Sequence, residues 1–517
     1  MARTSVVQEY GPPTINLPTL THDAKTAAAL DHPIVERPKG YRVSWHANPQ
    51  VEPHHFGSSH PMKPWRLTLT KQIVLAYGMH HAMDLYLARA ATYEEMQDFH
   101  SDDYLDFLKK AMPADMENEE LAETLAAFNF GDDCPIFDGI YNYGSLYAGG
   151  TLDAARKLCN GQSDIAINWS GGLHHAKKSE ASGFCYINDI VLGILQLLRI
   201  HPRVMYIDID VHHGDGVEQA FWSTDRVLTV SFHKYDPEYF FPGTGGLCDN
   251  GPSNPLNPGA HHALNVPLND GIEDSDYVEL FKSIIGPCVN TFQPGAIVLQ
   301  CGADSLGCDR LGCFNLNIRA HGACAAYAKS FGLPTLVVGG GGYTPPNVSR
   351  LWAYETSIML NCEKNLNPSL PTTLPFRNHF KPDCSLFPPL SQMGRFENKN
   401  SKEYLEGVRV NIMEQLRYIK GAPSVQLSTI PPDIAGVRRD VEEEIEEERR
   451  ANEEIVEERE SGLRSVSAGA SAAGGSFGRS GSAGSGRSGR SARSRSAGGR
   501  SRKDLEAGLG GRGELYP

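Results

Sequence analysis

The chain has 517 residues, 40% of them apolar, which is enough to bury one large core, and its formal net charge is −14. No apolar run is long enough to span a bilayer, and Met1 to Lys39 lacks the charged start and apolar stretch of a signal peptide. A soluble, intracellular protein without a membrane partner is therefore expected. The acidic balance argues against generic nucleic-acid binding and allows attraction of cationic partners, although most acidic surface is simply solvating, and no direct sequence-specific DNA binding is expected. The 11 cysteines are scattered and form no C-x-x-C pair, so they read as reduced core residues and not as a disulfide frame or a cysteine zinc site.

Taken in chain order, residues 1–40 contain Pro and Thr with little periodicity and read as a flexible leader. From Tyr41 onward the pattern changes. Short Val/Ile-rich runs at Asp164–Trp169, Val204–Asp210, Val227–Phe232, Ala296–Cys301 and Leu333–Val338 alternate with helical patterns at Asn188–Arg199, Asp274–Val289 and Ile318–Phe331. This alternation predicts one α/β domain over residues 41–425, with a central parallel sheet flanked by helices and its ligands at the carboxyl ends of the strands. Each run ends in a polar or glycine cluster, namely Ser170 to His175, His212 to Gly216, His233-Lys234, Gly302-Ala-Asp304 and Gly339 to Tyr343. Five strand ends are thus expected to converge. The globular pattern fades after Ser424. Residues 426–460 read as a linker and an acidic, helix-prone segment, and residues 461–517 as a Gly/Ser/Arg-rich disordered tail. The Arg-Ser pairs of that tail suit phosphorylation, acidic partners or nuclear import, with a plain linker as the alternative.

The segment Tyr206 to Gly216 carries the strongest chemical signal. Side chains at i and i+2 of a strand share a face, so Asp208, Asp210 and His212 are expected on one side and Ile207, Ile209 and Val211 on the other. Carboxylates at the end of a Val/Ile run are costly to bury unpaired. Asp210 and His212 are candidate metal ligands, and Asp304 from a neighbouring strand end supplies a third, leaving an open position. An Asp/Asp/His set suits zinc or ferrous iron. Two carboxylates weaken the acidity of a bound water relative to an all-histidine site, so a separate base becomes useful. His174 and His175 follow a Gly-Gly turn, and Asp208 and Asp215 remain to orient one imidazole each. Tyr343 follows four glycines, a permissive backbone on which a phenol can turn inward toward an oxyanion. Taken alone, an exposed tyrosine on a tight glycine turn would be the plainer reading.

Ile165 to Lys178, Ser182 to Tyr186, Tyr206 to Gly216, Ser231 to Lys234, Phe241 to Gly245, Cys301 to Leu306, Asp309 to Asn315 and Gly339 to Thr344 together resemble a class I zinc-dependent histone deacetylase. Within the class the chain looks most like the fungal enzyme of a Set-type corepressor complex. The resemblance covers roughly residues 41–425 and implies an arginase/deacetylase-like fold. It implies zinc held by Asp210, His212 and Asp304, His174 backed by Asp208, His175 backed by Asp215, and Tyr343 as carbonyl polariser. It maps an acetyl-lysine channel to Gly183, Phe184, Phe241 and Leu311, with Asp102 as rim carboxylate. A structural potassium ion is implied at Asp208, Asp210, His212, Ser231 and Phe232. An inositol phosphate would be gripped by His55, Lys63 and Arg310. The expected substrates are acetylated histone tails, the expected partners corepressor subunits, and the expected location the nucleus, with the cytoplasm also open.

Some positions depart from that pattern. The segment His233 to Pro242 is longer than usual, and Phe241 is preferred over Phe240 as channel wall because it directly precedes Pro242-Gly-Thr244. The loop Leu247 to His261 is also long. Ser59 replaces a usual glycine and Pro346 a usual arginine, so a weakened inositol-phosphate site is expected. Two other functions compete with protein deacetylation: hydrolysis of acetylated polyamines or other small amides, and a catalytically silent scaffold. A scaffold has no physical need for every ligand, both His-Asp pairs and Tyr343 together.

Overall fold

The computed structural model describes residues 35–390 and 396–419. The expected leader is described only from Val35, and the expected segments 426–460 and 461–517 lie outside the described residues. Eight strands form one sheet: Val43–Ala47 (β1), Asp84–Leu87 (β2), Ile165–Asn168 (β3), Val204–Asp208 (β4), Val227–Lys234 (β5), Ala263–Leu268 (β6), Ala296–Gln300 (β7) and Thr335–Val338 (β8). Every pairing is parallel, in the order β2-β1-β3-β8-β7-β4-β5-β6.

The Val/Ile-rich runs form strands because helices cover both faces of the sheet, which removes the polar alternation of a half-exposed strand. Met205, Ile207, Ile209 and Val211 enter one apolar cluster with side chains from helices Arg66–Ala76, Asp274–Phe292, Ile318–Lys329 and Pro345–Met359. Val204 and Tyr206 point the other way, against helices Ile140–Cys159 and Asp189–Leu197. Each fully buried Val or Ile of these layers contributes about 1.5–3 kcal/mol. A third cluster, rich in aromatic rings such as Phe56, Tyr104, Phe137, Tyr143 and Tyr186, reaches Tyr343.

Three strands go beyond the sequence expectation. β1 carries Ser44 and His46, β2 is a four-residue edge, and β6 contains Pro267, which cannot donate to a ladder. β6 tolerates that proline because it is the other edge. Tyr404 of the helix Lys402–Leu416 donates to the Pro267 carbonyl at 2.9 Å and helps cover this edge.

Register positions the site. Ser231 pairs with Asp208, Asp208 with Gln300, Gln300 with Val338, and Val338 with Asn168. The last residues of four strands and Ser231 of β5 therefore form one row across the sheet, from which the polar loops spring. β4 ends at Asp208, two residues sooner than expected, so Asp210 and His212 stand in the turn beyond it. The inward alternation of Ile209 and Val211 nevertheless continues past the strand end.

Candidate active site

The paired histidines are placed by the start of the helix Asp189–Leu197. Asn188 caps that helix by accepting the Val191 N–H at 3.0 Å, and its Nδ2 donates to the carbonyls of His174 and Ala176 at 3.3 and 2.8 Å. The buried Asp189 carboxylate accepts the Gly172 and Leu173 N–H groups at 3.0 and 2.9 Å. One helix terminus thus fixes the whole Gly-Gly-Leu-His-His turn.

Each imidazole has its own carboxylate. His174 Nδ1 lies 2.7 Å from Asp208 Oδ2, and His175 Nδ1 lies 2.7 Å from Asp215 Oδ1. The two rings are 4.0 Å apart between centroids and almost fully buried. Burial alone would lower the His174 pKa, but the Asp208 and Asp210 carboxylates raise it to about 9. Burial and the neighbouring His174 charge pull His175 down to about 3, against the opposing pull of Asp215. Two titratable groups pushed apart in this way are suited to divide acid and base roles.

Asp210, His212 and Asp304 bring one ligand atom each to within 4.8 Å of one another, and all three are buried. His212 Nδ1 lies 3.1 Å from both Asp210 Oδ1 and Asp304 Oδ2. Burial, and then the Asp210 carboxylate, push Asp304 up to about 7. Two carboxylates and an imidazole facing one dry point fit a divalent cation, which neutralises charge that one ring proton cannot. Among the described residues this is the one such group.

The glycine run supports this cluster with its backbone. Gly341 N donates to Asp210 Oδ2 at 2.8 Å, and a Cβ at that glycine would fall 2.0 Å from Asp304 Oδ2, so no larger residue fits. The run delivers Tyr343, which is 8% exposed and whose N–H donates to Asp309 Oδ2 at 2.7 Å. Burial and the nearby Asp304 carboxylate raise its pKa, keeping the phenol protonated.

Of the expected channel residues, Gly183, Phe184 and Phe241 lie beside the histidine dyads and Tyr343. Phe241 meets His175 edge-on at 4.9 Å, and a Cβ on Gly183 would lie 2.8 Å from the Phe241 ring. Phe184 contacts Tyr343 at 5.6 Å and His60 at 4.5 Å. Phe240 instead stacks flat on His212 at 5.2 Å, beside the ligand cluster. Leu311 is exposed on the turn capped by Asp309, and Asp102 is exposed at the start of the helix Asp102–Lys110, where Gln97 donates to it at 2.6 Å.

Of the expected potassium residues, Asp208 and Ser231 are register partners on adjacent strands, and Phe232 is buried one residue on. The expected phosphate-binding groups are more dispersed. Lys63 Nζ folds back onto the Gly57 and Ser58 carbonyls at 2.9 Å each, and exposed His55 accepts the Gly57 N–H, whereas Arg310 sits on the exposed turn before Leu311.

Several supporting residues escaped the sequence reading. Gln300, at the end of β7, donates to Asp210 Oδ2 at 2.9 Å and accepts the Gly302 N–H at 2.7 Å. Tyr206 donates to Asp208 Oδ2 at 2.6 Å. Buried Arg66 donates to the Gly340 and Gly342 carbonyls at 2.5 Å each, pinning the glycine run. The one available signal was position, since Gln300 and Tyr206 lie in the runs that carry the ligands.

With this geometry in place, comparison with known proteins is decisive. A model of the histone deacetylase domain matches residues 60–359. The chain belongs to the histone deacetylase family. The deacetylase is 53% identical over 397 residues to histone deacetylase 9 of Arabidopsis thaliana, covering 76% of this chain and 89% of that protein. It is 50% identical over 410 residues to histone deacetylase B of Dictyostelium discoideum, covering 78% and 94%. It is 49% identical over 412 residues to histone deacetylase HDAC1 of Drosophila melanogaster, covering 79% and 76%. The parallel sheet with its flanking helices is the arginase/deacetylase fold expected from the sequence. Among the described residues no helix is long and apolar enough to cross a membrane.

Proposed function

We propose that this deacetylase hydrolyses N6-acetyl-lysine in histone tails, releasing acetate and free lysine. The observation that carries the reading is the pair of His–carboxylate dyads set against the Asp210-His212-Asp304 cluster, with Tyr343 close enough to feel the Asp304 and Asp210 charges. Asp210, His212 and Asp304 would hold zinc, which when bound polarises the amide carbonyl and acidifies water. His175 is the ring kept neutral, with its Nδ1 proton directed at Asp215, so its Nε2 is free to take a proton from the attacking water and to give it to the lysine nitrogen as the C–N bond breaks. His174, charged between Asp208 and Asp210, stabilises developing negative charge. The Tyr343 phenol donates to the carbonyl oxygen as it becomes an oxyanion. Gly183, Phe184, Phe241 and Leu311 line the lysine stem, whose acetylated end carries no charge to desolvate. Asp102 at the rim accepts peptide N–H groups.

Potassium would bind beneath the site at Asp208 and Ser231 with carbonyls of Asp210, His212 and Phe232, as a structural ion. The enzyme would work in the nucleus within a corepressor complex. Inositol-phosphate stimulation through His55, Lys63 and Arg310 would be weak, because Pro346, in the first turn of the helix Pro345–Met359, offers neither a side-chain nor a backbone donor. The test is metal analysis of the purified chain together with turnover of an acetylated histone peptide and of acetylspermidine. Zinc-dependent turnover of the peptide is expected. Preference for acetylspermidine would move the substrate to small amides, and a metal-loaded but inert chain would favour a scaffold.

A further inference from the structure

The segment that carries Phe241 is exposed at its tip and tied down from beneath. Tyr239 is 85% exposed and Phe241 41%, so ring packing of Phe240 on His212 and of Phe241 on His175 holds only the inner side of this stretch. Gly243 and Gly245 both lie at positive φ, 79° and 86°, which adds conformational freedom to it. Behind the rings, two buried imidazoles restrain the backbone. Thr244 Oγ1 lies 2.9 Å from His213 Nδ1, and His233 Nε2 donates to the Gly245 carbonyl at 2.9 Å. The two rings pack 4.6 Å apart.

Each imidazole is anchored in turn. His213 Nε2 lies 3.0 Å from Glu218 Oε2, which also accepts from Asn265 Nδ2 at 2.8 Å. Asn265 Nδ2 reaches the Asp249 carbonyl at 2.7 Å, and Asp249 closes back on Gly246 N at 2.8 Å. His233 Nδ1 meets Ser231 Oγ at 2.8 Å. Glu218, Asn265, His213 and His233 are all buried. Partners at both ring nitrogens, Glu218 on one side and Thr244 on the other, fix the orientation of the His213 imidazole. The two consecutive histidines therefore face different tasks. His212 meets Asp210 and Asp304, whereas both ring nitrogens of His213 are taken by Glu218 and Thr244.

We propose that the Glu218–His213–Thr244 relay is a positioning device that fixes the Phe241 wall against Gly183 and so sets which acyl groups the channel admits. The proposal rests on the reading of Phe241 and Gly183 as channel walls of a lysine deacylase. Glu218, His213 and Thr244 act through the loop and not on the reacting atoms. Discrimination between acyl groups depends on the gap between wall residues, and a wall on an exposed, glycine-flanked loop keeps its gap only if the backbone behind it is held.

The test compares unmodified full-length enzyme with Thr244→Val, Thr244→Ser and Glu218→Gln. Steady-state kinetics are measured on histone peptides bearing acetyl-lysine or butyryl-lysine, with zinc content and Tm recorded alongside. Thr244→Val keeps the side-chain volume and removes the hydroxyl. It should raise KM for the acetyl peptide about three- to tenfold with kcat nearly unchanged, and lower the acetyl-over-butyryl kcat/KM ratio about threefold or more. Thr244→Ser should restore both values. Glu218→Gln, at the far end of the relay, should give the same shift, and its combination with Thr244→Val no more than the larger single effect. If Thr244→Val keeps the KM and acyl ratio of the unmodified enzyme, or changes only Tm and zinc content, the proposal is overturned. Should the unmodified enzyme turn over neither peptide, the deacetylase reading itself fails and the proposal falls with it.

Discussion

Gln300 Nε2 and Asp210 Oδ2 meet at 2.9 Å, so the carboxylate that faces the ligand cluster is oriented by an amide from the neighbouring strand. The same oxygen accepts the Gly341 N–H at 2.8 Å. Outer partners of this kind hold a ligand in its binding geometry before the ion arrives. Gln300→Leu, which preserves bulk and removes the amide, is expected to weaken zinc binding about 10- to 100-fold. A chelator-competition titration measures it, and an unchanged affinity would remove Gln300 from the site.

Asp304→Asn keeps the shape of the side chain and removes one charged ligand. Val211 N donates to Asp304 Oδ1 at 3.0 Å, a bond the asparagine oxygen can retain, so the fold should persist. Metal occupancy and peptide turnover should both collapse. Full activity with normal metal content would sink the ligand assignment.

For Tyr343→Phe, metal and substrate should still bind while kcat falls by about a hundredfold or more, because only a hydrogen bond to the developing oxyanion is lost. The phenylalanine keeps the backbone bond to Asp309 and the ring contact with Phe184. Unchanged kcat would take the phenol out of the mechanism.

His321 and Glu355 form a fully buried pair at 2.6 Å beneath the Asp304 turn, with His321 Nε2 donating to the Gly302 carbonyl at 2.9 Å. Burial would lower the His321 pKa, but Glu355 overcomes it and the net shift is upward from 6.5. A folded-state pKa above the unfolded one gives stability that is complete below pH 6.5 and is lost as pH rises through the folded value. Glu355→Gln should therefore destabilise the protein by about 3–5 kcal/mol in mild acid. The Tm gap between parent and variant should narrow as the pH is raised, and a gap independent of pH would show that His321 is not charged in the fold.

The parts of this molecule that were legible in its sequence are those where one physical demand acts alone. The buried strands β3, β4, β5, β7 and β8 announce themselves as Val/Ile runs because both faces are covered, and the ligands stand out because acids and histidines are costly at such places. Edge strands carry weaker demands. β2 and β6 mix polar residues and Pro267 with apolar ones, since one side of each lacks a strand neighbour. Gln300 and Arg66 were hidden for another reason: an amide or guanidinium that serves a distant backbone or carboxylate leaves no local spacing to read. Only its place before Pro242-Gly-Thr244 favours Phe241 over Phe240 in the sequence, and what each ring touches, His175 for one and His212 for the other, is decided by the turn and leaves no spacing to read.

The single row formed by Asn168, Val338, Gln300, Asp208 and Ser231 makes the chemistry of this fold modular. Strand register, not the length of the connecting chain, dictates where the loops begin, so a connection can grow or shrink outside the row without moving a ligand. The long segment between Ser231 and Ala263 is such a connection, carrying the outer rim at its tip while its base stays fixed by β5 and β6. Phe240, Phe241 and Thr244 of this connection touch His212, His175 and His213, so a chimera joined at Lys234 and Ala263 should change the rim over an unchanged hydrolytic centre only when the incoming segment keeps those three residues.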